Sequence, residues 1–253
     1  MVGYSPQRGE GVQALKASAI TELAETPVRA VAGADLVVLA VPPNPTLELI
    51  AQLAPALEAG ALLTDVCSVK LPVIQRAVTA GLGDRFVGGH PLAGTHETGF
   101  ASARPDRFRG CVVYICESGT AQGHLAAQNV TSFWEHTLEA APVRIEAEVH
   151  DRQLAWTSHL PQAVAYALAG SLAEHGLGGV SYGSGAKDTT RLAASNPDMW
   201  IDIFLHNRPA VKEALESTEA HLAELRRLLD AGNVPALRRY LERAQAFRQG
   251  IER

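Results

Sequence analysis

Apolar positions follow two rhythms along this chain, and the switch between them divides it. Ala34-Asp35-Leu36-Val37-Val38-Leu39-Ala40-Val41 is apolar at nearly every position, the pattern of a strand covered by helices on both faces. Pro42-Pro43 stops it. Leu47, Ile50, Ala51, Ala54 and Leu57 then share one helical stripe, with Asn44 or Thr46 available as N-cap and Gly60 as the stop. Ala61 to Val66 supplies the next strand, Leu71 to Ala80 a helix, and Arg85-Phe86-Val87 the end of another buried strand. A strand over Cys111 to Cys116, a helix over 121–139 and a short strand over 142–145 follow. Upstream, Met1 to Tyr4 reads as the tail of a strand and Glu10 to Ala17 as a short helix. The alternation predicts an α/β fold, a doubly wound parallel sheet with right-handed crossovers.

After Glu146 only helical spacing remains, over 149–174, 197–206, 209–230 and 234–249. The expected organisation is therefore a sheet domain over 1–147 and an all-helical domain over 148–253. Pro161 lies inside the first of these helices, where it removes a donor and should bend the helix, freeing the carbonyl of Thr157. Val211, Leu215, Thr218, Leu222, Leu225 and Leu229 recur at spacings of four and three, a narrow seam that suits an intrachain core or a subunit interface equally. A homodimer through the helical domain is the expectation.

Composition narrows the partners. A 47% hydrophobic share and 22 glycines among 253 residues suit an α/β protein with an aliphatic core. A net charge of −5 gives no field for nucleic acid or anionic lipid, so neither nucleic acid nor membrane is expected as a partner, and any anion must be held locally. Arg226 to Arg253 interleaves arginines with acids and reads as a solvated helix face. Cys67, Cys111 and Cys116 form no Cys-x-x-Cys pair, which points to the reducing cytoplasm and to neither disulfide framework nor zinc. His96, His124, His136, His150, His175, His206 and His221 have no ligand-like spacing, so no metal is expected.

The chemistry concentrates in Gly88-Gly89-His90-Pro91-Leu92-Ala93-Gly94-Thr95-His96-Glu97-Thr98-Gly99-Phe100. An imidazole here directly follows an apolar run, at the strand exit where open α/β sheets bind ligands, and it can trade protons near neutral pH. The paired glycines allow a tight turn or the close approach of a ligand. Ser68 follows the preceding strand and lies on the same edge.

Four stretches together resemble one family, the prephenate and arogenate dehydrogenases of tyrosine biosynthesis. They are Asp65-Val66-Cys67-Ser68-Val69-Lys70, the Gly88 to Phe100 stretch, Ser158-His159-Leu160-Pro161, and Gly185-Ala186-Lys187-Asp188-Thr189-Thr190-Arg191 followed by Asn196-Pro197-Asp198-Met199-Trp200. The resemblance implies a Rossmann-like domain and oxidation of a cyclohexadienol, with hydride passing to a nicotinamide and the ring carboxylate leaving as carbon dioxide. It implies that His90 takes the hydroxyl proton, that Ser68 hydrogen-bonds the same hydroxyl, and that Arg191 holds a substrate carboxylate. Lys187, Asp188 and Trp200 match residues that shape the pocket, although a capping Asp and a core Trp are equally natural. His159 falls in the bent helix, beside the substrate in the family's pattern.

The chain departs from that pattern twice. Gln162 stands where some relatives carry a second histidine, a neutral amide near the substrate side chain, so prephenate and arogenate both stay open. The family's first strand and Gly-x-Gly-x-x-Gly turn have no counterpart, and Gly9-Glu10-Gly11 does not replace them. A truncated chain, or an internal methionine taken as the start, is the expectation. In the usual strand order 3-2-1-4-5-6, Met1 to Tyr4 would then lack the neighbour that joins it to Val37-Val38.

Cofactor contacts are expected at Ser5, Arg8, Val41, Pro42 and Asp65. The absence of an acid between Tyr4 and Arg8 favours NADP over NAD, with Ser5 and Arg8 facing a 2′-phosphate. Another hydroxyacid dehydrogenase of the same architecture, or an inert chain that binds substrate and dimerises, are the alternatives.

Overall fold

A computed structural model describes residues 1–94, 99–175 and 181–251. The chain opens with β1 (Val2–Gly3), α1 (Arg8–Lys16), β2 (Glu22–Leu23) and α2 (Pro27–Val31), and β1 and β2 pair in parallel as a sheet of their own. The sequence reading missed β2 and α2. Thr26, whose hydroxyl accepts the N–H of Arg29, and Pro27 in the first turn were the available signal.

Next come β3 (Leu36–Leu39), α3 (Pro43–Leu53), β4 (Leu62–Asp65), α4 (Leu71–Thr79), β5 (Phe86–Pro91), β6 (Val112–Cys116), α5 (Ala121–Ser132) and β7 (Ala141–Arg144). The five strands form one sheet in the order β3-β4-β5-β6-β7. All neighbours are parallel except β5 and β6, which run antiparallel with His90 opposite Tyr114. This is the expected Rossmann-like sheet with one reversed pair, because the long connection after His90 brings β6 back in the opposite direction.

Successive residues of β5 face opposite layers. Phe86 packs with Leu39, Leu63, Ile50, Leu53, Val73 and Ile74 on the α3–α4 side, while Val87 packs with Val113, Ile115, Ala127, Val130 and Trp134 on the α5 side. Fully burying such side chains is worth ~1.5–3 kcal/mol each, so these two layers fix the strand register.

The helical part contains α6 (Ala147–Leu154), α7 (Leu160–Glu174), α8 (Ser184–Thr190), α9 (Pro197–His206), α10 (Arg208–Asp230) and α11 (Val234–Ile251). A π-helical turn over Ala155–His159 separates α6 from α7 and seats Pro161 in the first turn of α7. Proline is accommodated there by widening the helix ahead of it. The helix α8, with glycine at its second position, was not foreseen.

Neither Asn44 nor Thr46 caps α3, and α4 also has no side-chain cap of its own. Thr46 instead donates to the carbonyl of Val41. Carboxylates from later elements cap both helices. Asp202 of α9 accepts the backbone N–H of Asn44, and Asp151 of α6 accepts those of Lys70 and Leu71 at 2.7 and 2.9 Å. These contacts, with Ile203 packed in the α3–α4 layer, belong to a first compact unit that runs from Met1 to Arg208. The second unit begins at Pro209.

A cleft of about 930 Å³ runs along the free edge of β3, bounded by Met1 to Tyr4 on one side and Asp35 to Val41 on the other. The small sheet and the large one are not hydrogen-bonded to each other there, as the reading of Met1 to Tyr4 anticipated.

Candidate active site

Asp65 ends β4, and its carboxylate is wholly enclosed. It accepts the N–H groups of Cys67 (2.9 Å) and Gly89 (3.1 Å) and pairs with the ammonium of Lys70, which also donates to the carbonyl of Gly89 at 2.7 Å. Both side chains of the pair are fully buried, so each charge is compensated by the other and by backbone dipoles. The carboxylate of Asp65, expected among the cofactor contacts, is thus committed to partners within the protein. It rivets β4, β5 and the Ser68 loop together.

This rivet explains the paired glycines. A Cβ on Gly89 would stand 2.6 Å from the carbonyl oxygen of Asp65, and one on Gly88 would stand 3.2 Å from Cδ of Lys70. The glycines lie inside β5 and admit the neighbouring strand and Lys70, rather than forming a turn. His90 correspondingly sits within the strand, not beyond its exit.

His90 is buried, and its Nδ1 lies 2.8 Å from Nε2 of His150, whose Nδ1 lies 2.7 Å from Oδ1 of Asp151. Burial lowers the pKa of both imidazoles; His150, Lys70 and His159 lower that of His90 further. Both rings are neutral at pH 7, and the protons can be assigned from the network. The Asp151 carboxylate already accepts two backbone N–H groups and can only accept, so His150 carries its proton on Nδ1. Its bare Nε2 then accepts from Nδ1–H of His90, which leaves the lone pair of His90 on Nε2. The carboxylate thus dictates, through two rings, which nitrogen of His90 is basic. His150 and Asp151 escaped the sequence reading, because a His-Asp dipeptide in a helix carries no signal of a partner sixty positions upstream.

A second chain branches from the same residue. The backbone carbonyl of Asp151 accepts Nδ2 of Asn207 at 2.7 Å, and that nitrogen also lies 3.1 Å from Nδ1 of His159. His159 therefore holds its proton on Nε2, and burial pushes its pKa down to about 4. Its Nε2 and the indole N–H of Trp200, whose ring centroid is 6.0 Å away, are buried without a hydrogen-bond partner.

The other expected residues fall as follows. Ser68 lies half-buried in the β4–α4 loop, at the carboxyl end of β4 next to β5. Lys187, Asp188 and Arg191 are exposed on α8 and the 3-10 turn after it, and Arg191 has no ion pair among the described residues, with Asp188 and Asp198 included. Gln162 is buried, with its amide N–H committed to the carbonyl of Leu192 at 2.6 Å. Ser5 accepts the N–H of Gln7, Arg8 is exposed at the start of α1, and Pro42 is exposed ahead of α3. Val41 alone of the expected cofactor residues lines the cleft beside β3. Thr95 to Thr98 of the histidine motif, His96 included, lie outside the described residues.

Known proteins resemble the chain over nearly its whole length. Residues 1–141 match the family described as prephenate dehydrogenase, nucleotide-binding domain, and residues 146–243 match prephenate dehydrogenase, dimerization domain. Prephenate dehydrogenase of Bacillus subtilis is 30% identical over 258 residues, covering 99% of this chain and 69% of that protein. Cyclohexadienyl dehydrogenase of Zymomonas mobilis is 32% identical over 231 residues, covering 88% and 77% respectively. The crystal structure of Aquifex aeolicus prephenate dehydrogenase, in complex with hydroxyphenyl propionate and NAD+, superposes with a TM-score of 0.89 at 30% identity, over 99% of this chain and 88% of that one. With a Rossmann-like sheet matching the one family model and a helical half matching the other, this chain belongs to the prephenate dehydrogenase family.

Proposed function

We propose that the chain oxidises prephenate at its ring hydroxyl and releases the ring carboxylate as carbon dioxide, giving 4-hydroxyphenylpyruvate. The observation that carries this is the His90–His150–Asp151 chain, which presents a neutral imidazole with its lone pair on Nε2. That nitrogen accepts the hydroxyl proton as the carbinol carbon gives up hydride. The electrons of the bond to the carboxylate then flow into the ring. The proton gained by His90 is stabilised through His150 by the Asp151 carboxylate, so the base does not have to hold an isolated buried charge.

Ser68 donates to the same hydroxyl oxygen, and Arg191 binds a carboxylate with its planar fork. Lys187, Asp188, His159 and Trp200 border that substrate. A nicotinamide nucleotide, when bound, supplies the hydride acceptor. The cleft beside β3 is the place for its adenosine end, lined by Tyr4, Pro6 and Val41. The three free thiols suit a reducing cytoplasm.

His90→Asn tests the reading. The expected outcome is a fall in kcat of about 10²- to 10⁴-fold with the dissociation constant of prephenate nearly unchanged, the pattern of a lost proton acceptor. A near-normal kcat would refute it. Running the same assay with arogenate decides between the two substrates.

A further inference from the structure

The 3-10 turn Arg191–Ala194 is held from one side by a single helix. Gln162 and Tyr166 lie four apart on α7, so they project from the same face. The amide N–H of Gln162 donates to the carbonyl of Leu192 at 2.6 Å, and the hydroxyl of Tyr166 donates to that of Ser195 at 3.0 Å. The Leu192 carbonyl also accepts the N–H of Ser195 within the turn at 3.1 Å, so the Gln162 amide is its second partner, while the Ser195 carbonyl, at the end of the turn, is met by Tyr166 of α7. Gln162 is buried, so water cannot take its place readily. The guanidinium of Arg191, on the same turn, is exposed and uncommitted. The backbone is clamped while the cation stays free.

We infer that Gln162 and Tyr166 are positioning residues for Arg191: they fix the turn so that the guanidinium is pre-organised for a substrate carboxylate, and Gln162 acts through the Leu192 carbonyl rather than by touching substrate. This rests on the reading of Arg191 as the carboxylate-binding residue. Pre-organisation shows as affinity, since an arginine on a loosened turn must be ordered at the moment of binding.

The test is calorimetric binding of prephenate to the full chain and to Gln162→Leu, Tyr166→Phe, Gln162→His and Arg191→Ala, alone and combined. Gln162→Leu and Tyr166→Phe should each raise Kd about three- to ten-fold, the size expected for one lost hydrogen bond to a part-buried carbonyl. Gln162→His, which keeps a donor of similar reach, should restore most of the affinity. Both effects should vanish in an Arg191→Ala background.

Tyr166→Phe changes only a hydroxyl and keeps the test decisive if Gln162→Leu unfolds. Unchanged Kd in Gln162→Leu and Tyr166→Phe, or losses that persist without Arg191, would overturn the inference while leaving Arg191's own role standing. An unchanged Kd in Arg191→Ala would overturn both.

Discussion

His90, His150 and His159 share one physical condition: each is buried, uncharged and in contact with another polar ring or amide. In the unfolded chain each would titrate near its ordinary value of about 6.5. Folding lowers all three, His159 to about 4. As pH falls below ~6.5 the unfolded state gains protons that the native state refuses, so stability is complete above that value and is lost on the way down towards 4. For His159 alone a shift from 6.5 to about 4 corresponds to about 3 kcal/mol at the acid end. Urea unfolding at pH 7.5, 6 and 5 should show a steadily falling midpoint, and His159→Gln should flatten the slope. A midpoint independent of pH over this range would contradict the burial of these rings as neutral species. The sequence pointed to His90, because its glycines and the apolar run are local. It was silent on His150, because that residue's meaning lies entirely in its contact with β5.

Elements were readable where apolar rhythm and length agreed, as in β3, β4, α4, α5 and α9. They were unreadable where structure depends on distant neighbours: β2 has two residues and exists only through β1, and α3 borrows its cap from α9. The glycines of β5 were singled out correctly but for the wrong reason. Gly89→Ala puts a methyl against a backbone carbonyl that no rotamer change can move, so it should cost about 3 kcal/mol or more, read as a fall in Tm, and thin the supply of folded protein. A wild-type Tm for Gly89→Ala would show that β4 and β5 can part freely.

At the β1–α1 turn, Arg8 is exposed and has no ion pair among the described residues. If Arg8 and Ser5 meet a 2′-phosphate, kcat/KM should favour NADP over NAD. A ten-fold preference for NAD, worth ~1.4 kcal/mol, would return Arg8 to solvent.

On the scale of the molecule, the two compact units differ in what they leave open. In the second, Leu222, Leu229, Leu241 and Phe247 are 61, 60, 53 and 73% exposed, although they lie on long amphipathic helices. The seam seen in sequence thus splits: Val211 is buried, while Leu222 and Leu229 are not. Apolar side chains in that number favour a second copy as their cover. Light scattering on the full chain should give a dimer, and Leu229→Glu with Phe247→Glu should shift it to monomer. A monomer at high micromolar concentration before mutation would exclude this interface. No helix among the described residues is long and apolar enough to cross a membrane.

The borrowed caps of α3 and α4 have a practical side. Asp151 closes the first turn of α4, anchors His150 and receives Asn207, all from a helix that begins three residues after the last strand. Anyone splicing the sheet half of one relative to the helical half of another would naturally cut at 145 or 146, in the gap between strand and helix. Such a chimera would be viable only when the incoming helix brings a carboxylate to that one position. A library of crossovers scored for soluble, active enzyme should therefore sort on the residue at 151 before it sorts on overall sequence similarity.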